Sequence, residues 1–70
     1  MFVLYRNDRK NHFPWQFDEI AADDDFTKTV EKIGEIFNQD NKDRMLLRVE
    51  IDYTNNTAIF YTSNYIYLIR

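Results

Sequence analysis

The spacing of hydrophobic residues changes from one third of the chain to the next, and each spacing predicts a different element. Phe2-Val3-Leu4-Tyr5 is a short β-type run. Asn7-Asp8-Arg9-Lys10-Asn11 is polar and turn-forming. Phe13, Trp15 and Phe17 then alternate with Pro14 and Gln16, which suggests extended chain. Pro14 has no N–H to give a sheet ladder, so this segment reads as an edge strand or an irregular loop.

The middle of the chain has helical spacing. Phe26, Val30, Ile33 and Phe37 stand at i, i+4, i+7 and i+11, one face of an α-helix expected over about residues 24–38. Lys28, Glu31, Lys32 and Glu35 take the opposite side. One of Asp23, Asp24 and Asp25 is expected to cap the first turn, and the others suit the positive end of the helix dipole. Gly34 lies beside the apolar stripe and costs about 1 kcal/mol against alanine there, so close packing on a strand is its expected compensation. Asn38 to Lys42 reads as a polar exit loop.

The last third alternates with a period of two. Met45, Leu47, Val49, Ile51 and Tyr53 alternate with Leu46, Arg48, Glu50 and Asp52. Strands are expected over about 44–53, 57–62 and 65–70. Asn55-Asn56 suits a two-residue hairpin turn because asparagine tolerates positive φ, and Ser63-Asn64 suits a second one. The expected fold is α+β in a single domain, residues 1–70. One helix would pack on a small antiparallel sheet, with a C-terminal β-meander and a short N-terminal strand at an edge or over a face.

These turns imply a register. Tyr53 would oppose Ala58, Ile51 would oppose Phe60 and Val49 would oppose Thr62. In the second hairpin Phe60 would oppose Tyr67, and Ala58 would oppose Ile69. One face then carries Leu47, Val49, Ile51, Tyr53, Phe60, Tyr67 and Ile69 and can receive the helix. The other face carries Arg48, Glu50 and Asp52 on one strand, but Ile59, Tyr61, Ile66 and Leu68 on the other two. A sheet solvated on one side should be polar there. A one-residue slip exchanges the faces without removing the conflict.

Something must cover this patch, because large exposed apolar patches are rare on monomers. Either the segment 13–17 or the strand 2–5 folds over it, or it meets another chain. Ile59, Tyr61, Ile66 and Leu68 are the candidate contact residues, with Trp15 as a further anchor, since tyrosine and tryptophan are favoured at interfaces. The last strand, Tyr65 to Arg70, is also a candidate sheet edge for pairing with another chain.

Composition narrows the chemistry. A chain of 70 residues buries only about 60% of the surface its unfolded form exposes. Disulfides, a metal or oligomerisation usually add stability at this size. The sequence has no cysteine and one histidine, His12, so association is the addition left open. Its twelve aromatic residues can also supply large buried areas. The only serine, Ser63, falls in an expected hairpin turn, which disfavours nucleophilic catalysis. The only glycine, Gly34, falls in the helix, so a phosphate-cradling glycine loop is excluded. Asp40-Asn41-Lys42-Asp43 lacks the alternating ligands of a calcium loop, and contiguous aspartates at a helix start point in different directions. No enzymatic activity, cofactor or metal is expected. Arg6 ends the first apolar run with no basic stretch before it, so no secretory signal is expected. The apolar segment 58–69 is too short to span a bilayer. The expected location is cytoplasmic, without membrane contact.

Charge is uneven although the total is only -3. Residues 1–12 carry a net charge of +2 and residues 18–35 a net charge of -5. Asp23, Asp24, Asp25, Glu31 and Glu35 form either a solvated helix face or an acidic surface that steers a basic partner. Arg6, Arg9 and Lys10 beside Trp15 offer cations for phosphates and a ring for bases. Three cations in an acidic chain give poor general affinity for nucleic acid, which ranks that reading lower.

The leading expectation is a non-catalytic protein-binding domain, a small stoichiometric inhibitor or regulator. Small size, a bias to residues with AT-rich codons and the missing active-site chemistry look like the small inhibitory proteins of phages and mobile elements, or bacterial immunity proteins, an analogy of type only. The alternatives are a nucleic-acid-binding protein using the basic turn, and a structural homo-oligomer or homodimer.

Overall fold

The computed structural model describes residues 1–39 and 45–70. Residues 40–44 lie outside the described residues, and with them most of the expected exit loop, the Asp40–Asp43 run and the first residue of the expected strand 44–53. Among the described residues the elements are β1 (Phe2–Asp8), β2 (Asp18–Asp23), α1 (Phe26–Gln39), β3 (Leu46–Asp52), β4 (Thr57–Thr62) and β5 (Tyr65–Ile69). The strands form one sheet in the order β2-β1-β5-β4-β3, and every neighbouring pair is antiparallel. With α1 on one face, the fold is α+β.

The helix begins where its cap is made. The Asp25 carboxylate accepts from the N–H of Thr27 at 2.9 Å and of Lys28 at 3.4 Å, two of the donors that a helix start leaves without a partner. Asp23 Oδ1 accepts from the Asp25 N–H at 2.8 Å. The acidic triplet therefore forms the entry turn, and the helix starts at Phe26 rather than Asp24. Phe26 and Ile33 are buried and Val30 packs on them from a half-buried position. Thr29 is buried on the same side; its hydroxyl donates to the Asp25 carbonyl at 2.9 Å, which satisfies it without solvent.

The core lies between this stripe and one face of the sheet. Leu4, Ala58, Tyr67 and Ile69 are buried there, with Phe2, Ala21, Ile51 and Phe60 packed around them. Phe26 is held edge-on by Phe2 at 5.5 Å and by Tyr53 at 5.7 Å, the T-shaped arrangement that ring quadrupoles favour. Gly34 has no close neighbour: a Cβ built there meets nothing within 4 Å. The expected close approach to a strand is absent, because α1 packs on β2, β1 and β5 and leaves the β3 side of the sheet less covered.

The second hairpin has the expected register, with Phe60 opposite Tyr67 and Ala58 opposite Ile69. The first differs. Asp52 pairs with Thr57, Ile51 with Ala58 and Val49 with Phe60, so four residues rather than two form the turn. Asp52 is the reason. Its Oδ1 accepts from the N–H groups of Thr54 at 2.9 Å and Asn55 at 3.2 Å, and its Oδ2 from the Asn55 side chain at 2.7 Å. Asn56 then takes the left-handed conformation, φ 54°. The shift is by two residues, so facing parity is preserved as far as Arg48. A bulge between Leu46 and Arg48 breaks it, placing Leu46 opposite Thr62 on the helix side in the position expected of Leu47.

Two expectations about strand placement are corrected. β1 is neither at an edge nor over a face; it lies inside the sheet between β2 and β5. The last strand is therefore also interior, and the edges are β2 and β3. β5 is apolar at every position, and both of its edges are paired, one with β1 and one with β4. The segment 13–17 takes the irregular-loop form of its two expected ones, and β2, which follows it, is a strand that the sequence pattern does not predict.

Candidate functional site

Cross-strand pairing places the side chains of the second sheet face in rows. One row runs across the whole sheet as Glu19, Tyr5, Leu68, Ile59 and Glu50. The next runs Asn7, Ile66, Tyr61 and Arg48. Val3 lies beyond Tyr5, and its backbone exchanges hydrogen bonds with Arg70 at 3.1 and 3.2 Å. The Arg70 guanidinium lies 5.1 Å from the centre of the Tyr5 ring. An apolar band of Val3, Tyr5, Ile59, Tyr61, Ile66 and Leu68 thus crosses the middle strands. Glu19 flanks it on one edge, and Arg48, Glu50 and Asp52 on the other.

Among the described residues, no helix or strand packs on this face. The four sequence-expected contacts, Ile59, Tyr61, Ile66 and Leu68, are brought together on it and are each half-buried by their neighbours. Strand 2–5 does not cover them but extends the band with Val3 and Tyr5. Beside them, a shallow open concavity of about 560 Å³ is lined by Glu50, Asp52, Thr57, Ile59 and Leu68.

The loop after β1 stands at one end of this face. Asn7 is buried, and its Nδ2 donates to the carbonyls of Phe13 at 2.8 Å and Gln16 at 2.7 Å. Asn7 pairs with Ile66, so these bonds hold the loop at the Ile66 end of the band. His12 ties the same loop: its Nδ1 accepts from the Asp8 N–H at 3.0 Å, and its Nε2 is 3.4 Å from the Asp18 carboxylate. Within the loop the rings of Phe13 and Trp15 stack at 5.0 Å, only 4° from parallel. Trp15 is 76% exposed, a large apolar ring held out to solvent by a tied loop.

The charged candidates are dispersed. Arg6 belongs to the helix side, with its guanidinium 4.5 Å from the centre of the Tyr65 ring. Arg9 donates to the Thr62 carbonyl at 2.7 Å. Lys10 is exposed at the turn, where its N–H donates to Asp8 Oδ1. The Asn11 amide and the Lys10 N–H hold the Asp8 carboxyl below the ordinary aspartate value. Glu31 and Glu35 lie on α1, across the sheet from the open face, in a groove that Asp23, Lys28 and Lys32 also line. Asp25 is the helix cap, Asp23 bonds its N–H, and Asp24 is exposed beside them. The acids beside the open face are instead Glu19, Glu50 and Asp52.

Val3, Tyr5 and Arg70 were not recognised as part of this surface from sequence. The signal for Val3 and Tyr5 is the β-type run Phe2–Tyr5, whose alternate residues share one face of a strand. Among the described residues no three His, Asp or Glu side chains gather as a metal-binding group, and no helix is long and apolar enough to cross a membrane. Comparisons with protein-family models, curated proteins and solved structures found no match to this chain.

Proposed function

We propose that this chain is a non-catalytic protein-binding domain, a small stoichiometric inhibitor or regulator that docks a protein partner on the open face of its sheet. The observation that carries the reading is the asymmetry of the sheet. One face carries α1 over β2, β1 and β5; the other presents a band of six apolar side chains with no helix or strand of the described residues over it. Tyr5, Tyr61, Arg48 and Arg70 on that face, with Trp15 at its rim, are the residue types that most often anchor protein interfaces. Glu19, Glu50 and Asp52 supply a charged rim, which favours a partner with cations around an apolar centre. The nucleic-acid alternative gains less from the geometry, because Arg6 lies on the helix side against Tyr65 and Arg9 is bonded to the Thr62 carbonyl.

The test is capture from a lysate with immobilised wild-type chain and a Tyr61→Asp variant of unchanged circular dichroism. Tyr61 is half-buried on the open face, so the variant places a charge in the band without opening the helix-side core. A protein retained by the wild type and lost by the variant supports the reading. Equal retention by both rejects docking on this face.

A further inference from the structure

The two edges of the sheet differ in what they can pair with. β2 carries Asp18, Glu19 and Asp23, and a second copy of β2 laid antiparallel on it would set Asp18 against Asp23. Acid opposite acid is a device against edge pairing. β3 carries both signs and exposed apolar residues: Leu46, Leu47 and Val49 are 47%, 53% and 40% exposed. Its sequence is complementary to its own antiparallel copy. With the two-fold axis at Val49, Arg48 of each chain faces Glu50 of the other and Val49 faces Val49.

We propose that the chain forms a two-fold symmetric homodimer by antiparallel pairing of β3 with β3 of a second copy, centred on Val49. Leu47 is the extra residue of the bulge between Leu46 and Arg48, so regular pairing is confined to Arg48–Glu50 and the contact is a short ladder closed by two symmetric ion pairs. Arg48 and Glu50 already form an ion pair within one strand, and the second copy would complete a ring of alternating charge. Such an isologous contact closes on itself, whereas pairing β3 with β2 would extend without limit. The two-fold axis stands perpendicular to the sheet. Both open faces then point the same way, and the docking surface doubles.

The test uses the full chain and its mass in solution. The wild type should have twice the 8.6 kDa chain mass in multi-angle light scattering at high-micromolar concentration. Arg48→Glu and Glu50→Arg should each be monomeric with unchanged circular dichroism, because each sets like charges against one another across the axis. Mixed in equal amounts, those two variants should form a 1:1 heterodimer, and the double variant Arg48→Glu/Glu50→Arg should dimerise with itself. A monomeric wild type overturns the proposal. Dimers that persist in both single variants also overturn it, since association would then lie elsewhere on the chain.

Discussion

Asn7 and Gln16 are nine residues apart and joined by a 2.7 Å hydrogen bond from the buried Asn7 amide to the Gln16 carbonyl. With the second bond to Phe13, one side chain of a central strand ties both ends of the Phe13–Gln16 segment. Asn7→Ala removes both donors and leaves two carbonyls without their partner. A loss of about 1–3 kcal/mol is expected in denaturant unfolding. Trp15 fluorescence should shift with it, because the Phe13 stack is no longer held. An unchanged Trp15 spectrum would show that the loop is held by other contacts.

Asp25 is the helix cap, so Asp25→Ala should lower stability by about 1 kcal/mol. Asp24→Ala, which removes a neighbouring acid that makes no cap, should change stability far less. Equal effects of the two substitutions in urea titrations would mean that general charge, rather than the cap, stabilises this turn.

Gly34 sits in a helix with free space where its side chain would be. Gly34→Ala should therefore stabilise the chain by about 1 kcal/mol through backbone propensity alone. For a domain of this size that raises Tm by about 4–8 °C. A lowered Tm would reveal a close contact that the structure does not show.

The Asp52 carboxyl is held below the ordinary aspartate value by the Asn55 side chain, with help from the N–H groups of Asn55 and Thr54. A folded-state pKa below the unfolded one means that the ionised form favours folding. This contribution is complete above the ordinary aspartate value and is lost as pH falls through the lowered one. Asn55→Ala should move the Asp52 midpoint up toward the ordinary value in a carboxyl-carbon NMR titration. An unmoved midpoint would assign the shift to the backbone donors.

Short-range patterns made much of this architecture legible. Spacing at i, i+4 and i+7 located α1, and the Ser63-Asn64 turn set the register of β4 on β5. The local chemistry of Asp52 was harder to read: two asparagines look like a two-residue turn, but the preceding carboxylate collects the donors of a four-residue one. The placement of β1 depends on pairing with β5 across some 60 residues, and β2 forms by pairing with β1 across 12 to 21, neither of which a local pattern encodes. For the same reason, the core of the open face, Ile59, Tyr61, Ile66 and Leu68, was visible from parity within one meander. Its continuation through Tyr5 and Arg70 was not.

Photo-crosslinking tests the docking face most directly. A benzophenone-bearing phenylalanine analogue is introduced at position 61, on the open face, or at position 31, on the outer side of α1, and each chain is irradiated with the captured partner. Crosslinking at position 61 with none at position 31 is the expected result. Crosslinking at position 31 with none at position 61 would contradict docking on the open face and assign the partner to the helix.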